Sequence, residues 1–209
     1  MARPFSVGVV NYGIGNVGSV LGAFEFCGCP ARVVERPSEL ARFDALVLCG
    51  VGHFSMAVSR LDASRLREPL NEQVLGRGKP VLGICLGMQL FADYGHEGGR
   101  TRGLGWIKGE VRRLPEGGAK VPHIGWDPVL PKDRSMFRRV RYHEFYFMHS
   151  YHFVPKERSV VAGVTTYDGV EVVSAVRRGR VFGVQFHPEK SQGDGLRVLS
   201  NFIEAARGE

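Results

Sequence analysis

Cys85, His187 and Glu189 are the residues whose types and spacing point first to chemistry. Cys85 stands in "KPVLGICLGMQLFADYG", residues 79–95, flanked by Gly83 and Gly87 as G-x-C-x-G. An apolar stretch of strand length ends at the cysteine, and a helical pattern starts straight after it. That is the thiol form of a nucleophile elbow, a tight strand-to-helix turn that lifts the reactive atom above the sheet edge. The glycines fit because side chains there would clash where strand and helix cross. The start of a helix offers positive potential, which favours a thiolate. It also offers unpaired N–H groups, that of Leu86 among them, able to receive an oxyanion. Far downstream, "VFGVQFHPEKS" (181–191) carries a strand pattern into His187, Pro188 and Glu189. Residues two apart on an extended segment share a face, and a turn there can bring imidazole and carboxylate together. A thiol nucleophile needs a base to take and return its proton, and the base needs a carboxylate to hold its tautomer. Taken singly, Cys85 has an inert core thiol as its alternative reading, and His187 reads as a surface histidine at a strand end. Together they favour catalysis.

The elements that must position these residues are legible in the first half. Apolar runs of strand length occur at Ser6–Val10, Ala31–Val34, Ala45–Cys49 and Pro80–Cys85. Between them lie a helix candidate at Val17–Cys27, a short connection at Pro37–Phe43 and a long helix within Phe54–Leu75. "LGMQLFADYG" predicts a helix of about three turns closed by Gly95. Such alternation argues for an open, mostly parallel α/β sheet flanked by helices, flavodoxin-like, with its site at the carboxyl ends of the strands. Beyond about residue 100, short runs rich in Val, Tyr, Phe and Trp are broken by turn signals such as "YDG" and "RRGR". They predict an antiparallel β extension in the C-terminal half, and "GLRVLSNFIEAA" predicts a covering helix. No linker or repeat divides the chain, so residues 1–209 read as a single domain.

Bulk properties narrow the classes. The chain has 209 residues, 44% hydrophobic and 23% charged, with a net charge of +7. No apolar run approaches the roughly 18 residues of a membrane span, and no secretory leader pattern opens the chain. A cytoplasmic protein without membrane contact is the expectation. Cys27-x-Cys29 lacks the spacing of a zinc or redox pair, so neither a metal nor a cofactor is expected. The basic stretch "FRRVRYHEFYF" (137–147) raises nucleic-acid binding, but the remaining Lys and Arg are scattered and a solvated edge is the preferred reading. Gly13, Gly15 and Gly18 spell G-x-G-x-x-G after the first strand, with Glu35 placed as a ribose acid. A dinucleotide cradle would leave the cysteine, the histidine and the whole second half idle, so this stretch reads as a turn.

The joined motifs bring a family into view. G-x-C-x-G-x-Q with a distant H-P-E resembles the class I, triad-type glutamine amidotransferases. "YGIGNVGSV", "GVGHF", "GICLGMQL", "KVPHIGWD", "YFMHSYHF" and "GVQFHPEKS" together are similar to the glutaminase subunits of imidazole glycerol phosphate synthase, over residues 5 to 203. The resemblance implies L-glutamine as substrate, with Cys85 as nucleophile and His187, oriented by Glu189, as acid and base. It implies an oxyanion hole from Val51, Gly52 and Leu86, and glutamine binding by Gly52, Gln89, Glu97, His149, Ser150 and Tyr151. It further implies a heterodimer with a (β/α)₈ barrel cyclase subunit that receives the ammonia, met by Asn11, Asn16, His123 and Trp126. The family pattern has proline where this chain has Cys49, which frees φ and restores an N–H before the oxyanion segment. Glutaminases serving anthranilate, pyridoxal phosphate or guanylate synthesis, and a silent subunit of the same fold, are the rival readings.

Overall fold

The computed structural model describes residues 4–115 and 120–209. Its strands are β1 Val7–Val10, β2 Ala31–Val34, β3 Ala45–Gly50, β4 Val81–Cys85, β5 Tyr94–Gly95, β6 Thr101–Arg102 and β7 Gly109–Arg113. They continue as β8 His123–Pro128, β9 Leu130–Pro131, β10 Glu144–His149, β11 Tyr151–Pro155, β12 Val161–Tyr167, β13 Val170–Arg178 and β14 Val181–Val184. The α-helices are α1 Val17–Phe26, α2 Phe54–Ala63, α3 Arg67–Asn71, α4 Leu86–Gln89 and α5 Gln192–Arg207.

The main sheet has eight strands in the order β2-β1-β3-β4-β14-β13-β12-β9. Pairs from β2 to β14 are parallel, and those from β14 to β9 are antiparallel. Alternation along the central strands divides the core in two. Val7, Val9, Val47, Leu82 and Ile84 face a cluster closed by α1 and α5, where Phe24 and Phe182 meet Phe202 edge-on. Val10, Leu46, Leu48 and Val81 face a second cluster under α2 and α3, built around Phe91 and Trp106. Burial on both faces is why these strands read as unbroken apolar runs. A four-stranded sheet, β11-β7-β5-β6, and the β8–β10 pair extend the second half. Asp168 and Gly169, both at positive φ, make the predicted "YDG" turn between β12 and β13. Among the described residues, no helix is long and apolar enough to cross a membrane.

Two helical expectations need correction. The stretch after Cys85 is one turn of four residues, not three turns. Phe91 and Ala92 already bond three residues back, and Gly95 lies in β5, where a Cβ would run into the Phe54 ring. The predicted long helix at 54–75 is also broken, between Ala63 and Arg67 and again by a π-turn over Glu72–Gly76. Arg65 takes φ 56 at the first break, and Pro69 near the start of α3 has no N–H to continue an earlier helix.

Candidate active site

Three neighbouring strand ends build the site. Cys85 ends β4, and His187 lies just past the end of β14, which pairs with β4 in parallel so that Ile84 faces Val184. On the other flank β3 ends at Gly50, paired with Cys85, and runs on into Val51 and Gly52. Parallel pairing puts all three carboxyl ends on one edge.

Cys85 adopts φ 54 and ψ −113, a conformation that costs a non-glycine residue on the order of 1–3 kcal/mol. Both elbow glycines are needed for it. A Cβ on Gly83 would lie 2.7 Å from the backbone of Met88, and one on Gly87 would lie 2.6 Å from the carbonyl carbon of Leu48. The helix behind the thiol has a single turn, so less dipole reaches the sulfur than a three-turn helix would supply. Leu86, its first residue, has no intrahelical partner for its N–H.

His187 Nδ1 lies 2.8 Å from Glu189 Oε1, with both side chains almost fully buried. The turn is clamped to β10. His187 N–H donates to the Tyr146 carbonyl at 2.9 Å, while Ser191 Oγ donates to the His187 carbonyl and accepts from Tyr146 N–H. Burial pulls the imidazole pKa down, but hydrogen bonding and charge from Cys85 and Glu189 outweigh it and push it up to about 10. Nε2 itself makes no hydrogen bond of standard geometry. Resting catalytic pairs are commonly looser than the bond they form with substrate present, and the sulfur is the neighbour on that side that raises the imidazole.

A cavity of about 430 Å³ opens over the sulfur. Val51, Gly52, Leu86, Gln89, Glu97, His149, Ser150 and Tyr151 line it, as does Cys85. These are the residues singled out by sequence for the oxyanion and the amino acid. His53, Pro122, Ile124 and Met148 line it as well, and sequence reasoning missed them. Glu97 faces the cavity while its Oε2 accepts from Phe54 N–H at 2.7 Å, tying it to the start of α2. Tyr151 O accepts from His149 Nδ1 at 2.9 Å and from Gln89 Nε2 at 2.7 Å. Gln185, also missed, is fully buried and joins Gln89 to the sulfur. Its signal was a polar residue amid the apolar "VFGVQF".

The four proposed partner contacts do not share a face. His123 and Trp126 are three apart on β8, and an odd spacing sends strand side chains to opposite sides. Trp126 is exposed together with Ile124, whereas His123 is buried completely, stacked between Phe147 and Tyr167. This corrects the placing of His123 at a partner surface. It instead supports the cavity wall: Nδ1 lies 3.0 Å from His149 Nε2, and Nε2 lies 2.7 Å from Asp127 Oδ2. Asn16 caps α1 through Ser19 N–H and, with Cys49, His187 and Glu189, borders a small space. Asn11 Nδ2 holds Glu35 Oε1 at 2.9 Å, engaging the acid that a ribose would have needed. Gly15, at φ 129, would bring a Cβ to 3.3 Å from Gly50 Cα, so this loop packs under the third strand end. Cys49 is buried, and burial followed by the Glu189 charge pushes its thiol up to about 12. All four cysteines are free thiols.

A doubly covered α/β sheet that sets a strained cysteine beside an imidazole–carboxylate pair at a cavity has the layout of the thiol-dependent acyl-transfer enzymes. The family model for class-I glutamine amidotransferases matches residues 9–206. The chain belongs to that family and, within it, to the HisH subunits of imidazole glycerol phosphate synthase. It is 45% identical over 207 residues to such a subunit from Moorella thermoacetica, spanning 98% of this chain and 96% of that one. It is 42% identical to the subunit from Chlorobaculum tepidum, over 94% of this chain and 98% of that one. Among solved structures, PurLQS from Thermotoga maritima superposes with a TM-score of 0.75 at 20% identity, over 97% of this chain and 99% of that chain. A glutamine amidotransferase from Thermotoga maritima gives 0.63 at 20%, over 99% of this chain and 84% of that chain. At such identity these structures speak to the fold alone.

Proposed function

We propose that Cys85, His187 and Glu189 are the catalytic triad of a glutaminase that serves imidazole glycerol phosphate synthase in histidine biosynthesis. The observation that carries this reading is the imidazole–carboxylate pair set against the elbow thiol at the mouth of the cavity. The Cys85 thiolate attacks the side-chain carbonyl carbon of L-glutamine, and the resulting oxyanion is met by the Leu86 N–H and the Val51–Gly52 backbone. The His187 imidazolium gives its proton to the amide nitrogen as the C–N bond breaks, releasing ammonia and leaving a γ-glutamyl thioester. Neutral His187 then takes a proton from water as the water attacks the thioester carbonyl. The C–S bond breaks, glutamate leaves, and thiolate and imidazolium are restored. Glu189 keeps Nδ1 protonated and Nε2 aimed at the sulfur throughout. Gly52, Gln89, Glu97, His149, Ser150 and Tyr151 hold the amino acid, with Glu97 taking its ammonium.

The ammonia passes to the (β/α)₈ barrel of a cyclase partner in a heterodimer. Asn11 and Asn16 belong to the face met by that partner, as does Trp126, whose exposed indole is a suitable anchor. Ammonia in bulk water is mostly protonated at neutral pH and then not nucleophilic, so an enclosed route has a chemical purpose. The chain acts as a single domain in the cytoplasm, where a reducing compartment keeps its thiols free. Glutamine turnover measured with and without the cyclase tests the reading. Activity that appears or rises in the complex supports it; an inactive complex, or full activity of the isolated chain, counts against it.

A further inference from the structure

Gln185 follows β14 directly and is wholly buried, with both ends of its carboxamide engaged. Its Nε2 lies 3.6 Å from Cys85 Sγ, and its Oε1 lies 3.1 Å from Gln89 Nε2. The Met148 carbonyl lies 3.8 Å from the same sulfur; what Gln185 presents to it depends on which end of each amide carries nitrogen, and the surroundings fix that. The Tyr151 carbonyl, 2.7 Å from Gln89, can only accept. The end of Gln89 facing it is therefore NH₂. The same NH₂ group faces Gln185, so the Gln185 atom it meets is the oxygen. The nitrogen of Gln185 is left directed at the sulfur. A main-chain carbonyl two side chains away thus sets the polarity of the group beside the thiol.

Core packing does not account for a glutamine here. Leucine or methionine would fill the space without needing two partners in a region where an unmet amide is costly. An N–H donated to sulfur favours thiolate over thiol, whereas the opposite polarity would favour the thiol. We propose that Gln185 is a further catalytic residue: its carboxamide N–H donates to the Cys85 sulfur, stabilising the thiolate before attack and again as the thioester C–S bond breaks. The proposal rests on Cys85 being the nucleophile of the glutaminase reading.

Gln185→Met keeps the volume and removes the donor, and Gln185→Glu keeps the shape while placing a carboxylate oxygen against the sulfur. Each full-length variant, in complex with the cyclase subunit, is assayed for kcat and KM with glutamine. Each is also alkylated with iodoacetamide across pH, with Cys85 modification read by peptide mass. The alkylation profile of Gln185→Met moves to higher pH and kcat falls about tenfold or more, with KM little changed; Gln185→Glu shows the larger loss. A folded Gln185→Met with the wild-type profile and kcat overturns the proposal. So does a fall in kcat with the alkylation profile unmoved, which assigns Gln185 to packing. Should Gln185→Met fail to fold, the same two outcomes measured on Gln185→Glu support or overturn the proposal in its place. A wild-type complex that neither hydrolyses glutamine nor alkylates at Cys85 refutes the glutaminase reading itself. Active wild type with indifferent variants refutes the role of Gln185 alone.

Discussion

Gly87 and Gly18 come from the chain's two glycine motifs, and substituting each by alanine separates the motif that shapes the site from the one that does not. At Gly87 the added Cβ would lie 2.6 Å from the Leu48 carbonyl carbon, and closer still to its oxygen. Optimal carbon contacts are about 3.5–4.0 Å, so α4 must retreat from β3 by at least about 1 Å. Leu48 lies in the middle of a sheet paired on both sides and does not yield. Overpacking of this kind costs about 1–3 kcal/mol, a fall in Tm of about 2–12 °C for a chain of this length. The larger consequence is catalytic. The retreat carries the Leu86 N–H and the Cys85 sulfur away from His187, and a misplacement of about 1 Å costs on the order of 100-fold in rate. At Gly18, in the first turn of α1, a Cβ meets nothing within 4 Å. Alanine there stabilises the helix by up to about 1 kcal/mol and leaves turnover unchanged. Glutaminase kcat in the cyclase complex, with Tm for each variant, is the assay. Full activity of Gly87→Ala, or a large loss in Gly18→Ala, would refute the close-crossing reasoning.

Glu189→Gln removes one of the two groups that raise His187. A raised imidazole contributes stability fully below its ordinary value of 6.5, and that contribution is lost as pH rises through about 10. Denaturant midpoints should therefore show the variant's deficit greatest near pH 6 and narrowing towards pH 10; a deficit that widens instead contradicts the assignment. Ser191→Ala strips the clamp from the His187 carbonyl and Tyr146 N–H, at a cost of about 1–3 kcal/mol, read as a drop in Tm accompanied by reduced kcat. Cys49, held as a thiol by burial, should remain unmodified in a peptide map taken after Cys85 has been alkylated to completion at pH 8. Trp126→Glu should weaken the cyclase complex by about tenfold or more in calorimetry, with the Tm of the free chain unaltered.

The parallel half of the fold was legible because its strands are buried on both faces and their apolar runs end in turn signals. The elbow cysteine and the histidine–carboxylate pair proposed for catalysis stood out for a local reason: glycines at a crossing and a carboxylate two residues from an imidazole both leave a pattern. The length of α4 was not. Leu90, Phe91 and Ala92 continue a helical pattern, but the chain turns off to pair β5 with β7 and pack Phe91 on Trp106, and that tertiary gain prevails over propensity. His123 shows the same limit from the other side. Its sequence neighbourhood resembled a partner face, while strand alternation turned the ring inward to Asp127 and His149. Gln185 and Gln89 lie far apart in sequence and meet only because β14 is laid beside β4.

Everything proposed for this site requires the Cys85 sulfur to form the covalent bond to the glutamine-derived acyl group. Treating the cyclase complex with 6-diazo-5-oxo-L-norleucine, while following glutaminase loss and mapping the adduct by peptide mass, tests it most directly. Inactivation should proceed in step with a single adduct on Cys85, and Cys85→Ser should carry no adduct. Complete inactivation with Cys85 unmodified, or undiminished glutamine hydrolysis by Cys85→Ser, would contradict it.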